Sequence, residues 1–570
     1  MTDHYDVIIV GGGSAGCVLA NRLSAGRHRR VLVLEAGPPA PSWDFRINMP
    51  AALTYPLGNT TYNWGYASEP EPFMHGRRIY QPRGRVLGGS SCINGMIYIR
   101  GNPLDYEKWA AVPGLERWSY RRCLPYFKRV EHRLAGADAY HGDEGPLILT
   151  TPACDNPLFG AFFEAVAQAG YPVHGDVNGY QQEGFSAFDA TIHGGRRWHA
   201  ARAYIDPIRA ERDNLTIECR ALASRILFEG RRARGVVYRQ GRREHQVAAG
   251  EVILCGGAIN SPQLLQLSGV GDPDRLRALG VDVVHPLRGV GENLQDHLEV
   301  YVQYRSREPV SMQPALQRWR RPWIGFQWLF LRRGPGATNH FEAGGFVRSN
   351  GDVGWPNVMF HFLPLAIRYD GTAPPAGHGY QVHVGPMYSD ARGTVKIRSA
   401  DPAVHPALRF NYLSTDQDRR EWPEAVRVAR TLLNQAAMAR FNGGELSPGP
   451  RVETDEEILE WVARDAETAL HPSCSARMGT DAMAVVDPLT MRVHGTEGLR
   501  LVDASVFPTV TNANIYAPVM MVAERAADLI AGNTPLAPDP RPFYRHGAGM
   551  ALIEAGRSVP GAGPRRDPAD

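Results

Sequence analysis

The most specific chemical signal in the chain lies in six residues near the N-terminus. Gly11-Gly12-Gly13-Ser14-Ala15-Gly16 is a GxGxxG turn between an apolar run, Val7–Val10, and a helical stretch from Cys17 to Ala25. In such a turn Gly11 permits the tight bend, Gly13 lets backbone approach a pyrophosphate, and Gly16 allows the helix to pack closely on the strand. The helix N-terminus then offers N–H groups and its positive dipole end to phosphate. A second buried strand, Val31–Leu34, ends at Glu35, 19 residues beyond Gly16, where a carboxylate meets a ribose hydroxyl. The motif alone does not separate FAD from NAD.

Read from Gly12, the same turn matches G-x-S-x-G, the strand-to-helix elbow that exposes a serine nucleophile in an α/β-hydrolase. Ser14 lies too early for that chemistry, which needs strands and an oxyanion loop before the elbow. Three more glycine-bearing blocks follow. Gly84–Gly95 contains Gly88-Gly89-Ser90-Ser91, small residues that let backbone N–H groups approach an anion or a flat ring. Gly257–Gly271 opens and closes a helix, and Val290–His297 ends in Gln295-Asp296-His297. Each could be a structural turn; the four in this order are not chance.

The scaffold that must position these blocks is large. At about 150 residues per domain, 570 residues fit three or four units or two large ones. Apolar content of 43% with 21% charged residues reads as a soluble globular protein. A net charge of +3 is too balanced to point to a nucleic-acid partner. Only three basic residues are lysines, and the arginines are spread along the chain, a skew that reads as coding bias. Seven scattered cysteines without CxxC spacing argue against a disulfide framework and a zinc site, and for a reducing compartment. No metal is expected. The N-terminus shows no charged-then-apolar leader, and no apolar run approaches the roughly 18 residues that span a bilayer. The expected location is cytoplasmic.

Along the chain, Pro38–Arg85 reads as an irregular wrapping segment, and long ordered excursions of this kind are usually functional. Val236–Tyr238 and Val252–Leu254 are strand-like, and Ser261-Pro262 predicts a helix start with proline in its first turn. Alternation in Tyr380–Val384 and Val395–Arg398 predicts an antiparallel sheet with one exposed face. Leu499–Val502 reads as a strand and Pro518–Ile530 as a helix. The tail 546–570, rich in Gly, Ala, Pro and Arg, reads as disordered.

The Gly84–Glu107 and Gly257–Gly271 segments resemble the two signatures of the glucose–methanol–choline (GMC) flavin oxidoreductases, and the resemblance runs from about residue 4 to 536. Asp44–Arg46, Tyr62–Trp64, Gly379–Met387 and Glu467–Ser475 resemble the choline-oxidising branch of that family. The implied fold is an α/β, Rossmann-like FAD-binding domain with an α+β substrate cap built on an antiparallel sheet. The implied FAD-binding segments are 1–158, 212–298 and 460–536, with the cap in 159–211 and 299–459. Gly11, Gly13, Ser14, Ala15, Gly16, Glu35 and Ala36 would hold the ADP half of FAD, with the backbone of Ala223 at the adenine. Gly88, Ser91, Asn94, Gly95, Met96 and Ile97 would line the pyrophosphate and flavin ring, closed by Asp503 and Ala504. The family's catalytic pair falls on His471 and Asn514.

That pair suits the chemistry. Hydride leaves an alcohol carbon only as the hydroxyl proton is removed or tightly held, a task for histidine, while a neutral amide can donate to the developing alkoxide. Choline adds a cation that neither donates nor accepts hydrogen bonds, so it needs a carboxylate and aromatic faces, worth roughly 0.5–2 kcal/mol each. Glu299, His361 and Trp64 occupy the matching places, with a solvated edge-strand carboxylate as the lesser alternative for Glu299. Ile93 stands where some choline oxidases carry the histidine that bonds FAD, which implies non-covalent FAD; Leu470 stands where they carry an aromatic residue beside the catalytic histidine. The expected partners are an alcohol substrate and a respiratory-chain or quinone acceptor, with a neutral primary alcohol as the alternative substrate. Residues 318–333 mix arginine with tryptophan. They are expected to form a cap helix with a buried aromatic stripe, with contact to anionic lipid, and so a peripheral place on the inner membrane's cytoplasmic face, as the alternative.

Overall fold

The computed structural model describes residues 4–368, 371 and 377–547. From 548 onward, the tail read as disordered lies outside the described residues. β1 (His4–Val10) and β2 (Val31–Glu35) are joined by α1 (Ser14–Leu23). Val7–Val10 and all of β2 are buried, as parallel strands covered on both faces must be. They belong to a seven-stranded mixed sheet. β3 (Leu215–Cys219) borders β2, while β4 (Leu222–Glu229), β5 (Arg232–Gln240) and β6 (Arg243–Leu254) extend the sheet beyond β1 in the order β1-β6-β5-β4. The first part of β6 runs antiparallel to β5; Val252–Leu254 runs parallel to β1 and to Leu499–Leu501. The parallel strands therefore end side by side, in the crevice where such sheets bind ligands.

α2 begins at that crevice and spans Gly257–Leu267, so Pro262 lies inside the helix rather than in its first turn. A proline in a helix interior leaves the carbonyl four residues back without its N–H. Here that carbonyl, Ala258 O, accepts the Ser475 hydroxyl at 2.5 Å, so the helix is tied to the Glu467–Ser475 segment at the point of the break.

β7 (Leu298–Ser306), β8 (Ala343–Val347), β9 (Val358–Leu363) and β10 (Gly379–Pro386) form the centre of an antiparallel sheet, in the order β7-β10-β9-β8. Gly184–Ala187 and Asn442–Ser447 flank it, and Glu467–Thr468 pairs with the start of β7. Alternation along these strands is present, but the expected exposed face is not: β8, β9 and β10 are buried at every position. Val300, Val302, Phe360, Phe362, Val382 and Val384 pack with Phe159, Phe162 and Trp422. The opposite, polar side carries Glu299, Tyr301, Gln303, His361, Gln381 and His383, all buried. Polar residues alternate here because that side belongs to a site, not to solvent. Val395–Lys396 lies outside this sheet, in a two-stranded ladder with Ala407–Arg409.

Two further expectations are corrected. The predicted cap helix is α3 (Arg321–Leu331), but only Ile324 and Trp328 are buried, so most of its aromatic surface faces outward. The C-terminal helix, α4 (Tyr516–Ala531), begins before Pro518, which its first turn accommodates.

Candidate active site

A continuous cleft lies between the ends of the parallel strands and the polar side of the antiparallel sheet. Its lining includes Gly11, Gly13, Ser14, Ala15, Glu35, Ala36 and Ala223 from the mixed sheet and its turns. Ser91, Asn94, Gly95, Met96, Ile97, Asp503 and Ala504 join them from loops, and Trp64, Glu299, His361, His471 and Asn514 complete the predicted set. Gly16 and Gly88 are not part of the lining. Gly16 lets α1 press on the first turn, where a Cβ would collide with the Gly11 carbonyl oxygen. Gly88, at φ +102°, gives its N–H to Gly12 O at 2.7 Å, joining the two glycine loops backbone to backbone.

Helix α1 starts with no side-chain cap, so the N–H groups of its first turn are left for a ligand in the cleft. Glu35 accepts from Gly12 N–H at 2.9 Å and Gly37 N–H at 2.7 Å, one on each oxygen, leaving each a free lone pair. Burial raises its pKa to about 7. The second glycine loop is clamped from outside: buried Arg197 donates to Asn94 O and Oδ1 at 2.6 and 2.7 Å, and Asn339 donates to Gly95 O at 2.7 Å. Asp503 accepts from Gly257 N–H and the Ser261 hydroxyl, which pins α2 to the C-terminal segment.

At the polar end, His471 and Asn514 are brought together, with Nε2 and Nδ2 3.1 Å apart. His471 Nδ1 lies 3.0 Å from His297 Nδ1, and His297 Nε2 lies 3.0 Å from Met387 O. A backbone carbonyl only accepts, so His297 carries its proton on Nε2 and presents a lone pair at Nδ1. His471 must then donate from Nδ1, which leaves its Nε2 unprotonated and directed at Asn514. Burial holds His297 neutral, its pKa lowered to about 4, and pushes that of His471 well below the usual histidine range. Asp296 fixes the backbone beneath: it accepts from His471 N–H at 2.7 Å, from Thr468 Oγ1 at 2.6 Å and from the Tyr412 hydroxyl at 2.5 Å.

A second relay ends on Glu299, whose Oε1 lies 2.9 Å from His383 Nδ1. Gln381 exchanges two hydrogen bonds with the Ile367 backbone: Oε1 accepts from the N–H and Nε2 donates to the carbonyl. That pairing fixes which end of the amide is nitrogen, so Gln381 Nε2 donates to His383 Nε2, 2.6 Å away. His383 is thus a neutral imidazole with its single proton on Nδ1, given to Glu299. Trp64 stands at the cleft, but Tyr66 stacks on it and Arg85 lies 5.1 Å from its ring centroid, so much of its π surface is already used. Phe341, in the cleft lining 5.9 Å from the His361 ring and 5.3 Å from His383, is a further aromatic wall.

His297, Asp296, His383, Gln381 and Phe341 received no role from the sequence. The signal was available for one of them, His383, which is the cross-strand partner of His361, with Glu299 one β period away on the neighbouring strand.

Comparison with known proteins accords with this geometry. Residues 5–299 and 389–523 match the N- and C-terminal family models of the GMC oxidoreductases. The chain is 59% identical to the oxygen-dependent choline dehydrogenase of Staphylococcus saprophyticus, covering 96% of this chain and 98% of that protein. It is 58% identical to the enzyme of the same name from Staphylococcus aureus, over 95% and 96% of the two chains.

The chain belongs to the GMC oxidoreductase family.

It shares that family's two-part fold: the pyridoxine 4-oxidase of Mesorbium loti superposes with a TM-score of 0.85 at 33% identity, over 93% of this chain and 100% of the other. Formate oxidase of Aspergillus oryzae does so with 0.87 at 26%, over 93% and 98%. As a GMC enzyme it is an FAD-dependent oxidoreductase, and its cleft fits that cofactor. The uncapped α1 turn and glycine cradle suit the pyrophosphate. Among the described residues, His361 Nε2 and Asn514 Oδ1 are buried without a hydrogen-bond partner, and both residues line the cleft, where bound groups would satisfy them.

Proposed function

We propose that this protein oxidises choline to betaine aldehyde, using non-covalently bound FAD. The observation that carries the choice of substrate is the Glu299 carboxyl group in the cleft lining, held by His383, which Gln381 orients. A buried carboxylate facing a neutral ligand would cost several kcal/mol; facing a quaternary ammonium it is compensated. The choline dehydrogenases to which the chain is similar support the same substrate.

When bound, FAD supplies the hydride acceptor. The chain's own groups handle the proton and the orientation. His471 Nε2, left unprotonated by the His297–Met387 relay, takes the hydroxyl proton, and Asn514 Nδ2 donates to the oxygen as charge develops there. Glu299 holds the ammonium, with His361, Phe341 and Trp64 as walls. Ile93, in the cleft lining, offers no nucleophilic atom for a flavin bond. A neutral primary alcohol is the second reading, favoured by the aliphatic Leu470 in the lining and by Arg85 over Trp64.

The sorting of strands supports the domain assignment. All mixed-sheet strands come from 1–158, 212–298 and 460–536, and the antiparallel sheet comes from 159–211 and 299–459, apart from Leu298 and the short strand Glu467–Thr468. For the electrons we assign a respiratory-chain or quinone acceptor. For location we assign the cytoplasm, with contact to the inner membrane; among the described residues no helix is long and apolar enough to cross one.

The test is anaerobic. Choline should bleach the visible flavin absorbance while n-butanol leaves it oxidised; bleaching by butanol alone would move the function to neutral alcohols.

A further inference from the structure

We infer that α3 and the arginines at its two ends form a docking surface for an anionic lipid bilayer. This deepens the membrane contact assigned above, and rests on it, by naming the surface and the chemistry it meets.

The helix is held by one stripe only. Ile324 and Trp328 are buried, and Trp328 Nε1 donates to Gly195 O at 2.7 Å. The remaining surface is apolar and exposed: Trp319 is 72% exposed, Trp323 60% and Phe330 67%, with Phe326 and Leu329 also outward. Trp323 stacks on Phe326 at 5.4 Å and Phe326 meets Phe330 at 5.0 Å, so these rings form a continuous outer ridge. Exposed apolar surface on this scale, held in order and covered by none of the described residues, marks an interaction site.

Charge selects the occupant. From Pro309 to Phe341 the chain has five arginines and no acidic residue. Arg318, Arg320 and Arg321 stand at one end of the helix and Arg332 and Arg333 at the other; among the described residues none of them forms an ion pair with a carboxylate. At the far end, burial and the neighbouring Arg196 lower the Arg332 pKa, so two guanidinium groups stand close together there. A second copy of this chain is a poor partner, because a two-fold contact would set this arginine rim against itself. Lipid phosphates supply what is missing: acceptors for the arginines at headgroup level and a boundary zone for the indole and phenyl rings. Tryptophan and arginine around a short apolar helix lying in the interface plane is the pattern of such an anchor.

The surface also adjoins the cleft. Gly336, just past the helix, packs on Met49, which precedes the cleft-lining Leu53 and Thr54. Docking on α3 therefore sets this edge of the cleft near the bilayer.

The test uses the full-length holoprotein, floated with vesicles of phosphatidylcholine containing about 30% phosphatidylglycerol, or with phosphatidylcholine alone, at low and high salt. Binding is expected to the anionic vesicles at low salt and to weaken with salt. Trp323→Ser with Phe330→Ser should cut binding at least tenfold while choline still bleaches the flavin at the wild-type rate. Arg318→Gln or Arg333→Gln should each weaken it about fivefold. No binding of the wild type would overturn both the docking surface and the assigned membrane contact. Wild-type binding that the α3 variants leave unchanged would overturn the surface alone. A dimer in solution that these variants dissociate would replace lipid by a second copy.

Discussion

The two ends of the cleft are built on opposite principles. At the mixed sheet the ligand-facing groups are mainly backbone, brought into place by local sequence: β1, the glycine turn and α1 follow one another within twenty residues. At the antiparallel sheet they are side chains, drawn from His297, Glu299, Phe341, His361, His383, His471 and Asn514, and no short stretch contains the set. The first end tolerates few substitutions of backbone shape. The second depends on which atom of each side chain carries a proton, and that is decided by relays ending on the backbone at Met387 and Ile367.

Substitutions at each end should therefore fail in different ways. The largest effect is expected for Gly16→Val, whose side chain would strike the Gly11 carbonyl and lift α1 off its turn. Purified protein should contain no flavin by its visible spectrum, and normal flavin content would show that α1 packing is dispensable. His471→Ala should keep FAD but slow its anaerobic reduction by choline by roughly 10²–10⁴-fold. Near-normal reduction would remove the base assignment. His297→Phe keeps a ring but loses the acceptor for His471 Nδ1–H. Reduction should slow by roughly tenfold or more, with an altered pH profile and unchanged flavin content; an unchanged profile would reduce His297 to packing.

The smallest effect is a flat line. Burial lowers the His471 pKa, so the base stays neutral as pH falls through the ordinary histidine value of about 6.5. The sign follows directly: a lowered pKa moves the loss of kcat/KM for choline to more acidic pH. A break near or above 6.5 would mean the base is less buried than the cleft implies.

Legibility followed the same division. β1, α1, β2 and the glycine blocks could be read because a strand–turn–helix unit is written in consecutive residues. Ile93 and Leu470 were flagged through the family resemblance, as was Glu299. The relays were not legible. The proton position on His383 depends on the amide orientation of Gln381, and that depends on backbone at Ile367, a contact no periodicity announces. The alternation of Tyr380–Val384 is legible as period two, but what its polar side faces is not, because polarity marks a site as readily as a surface. The aromatic residues of α3 were assigned to a core for the converse reason, since apolar periodicity does not say what covers a face.

The central claim is that Glu299 is a charge held for a cation, and one comparison tests it most directly. Steady-state kinetics of wild type and Glu299→Gln should be measured with choline and with dimethylbutanol, its neutral carbon isostere. The expected result is a rise in KM for choline of more than about tenfold, with little change for the isostere, since removing the carboxylate withdraws roughly 1.4 kcal/mol or more from the cation alone. Equal changes for both substrates would contradict the claim and leave Glu299 as a structural partner of His383.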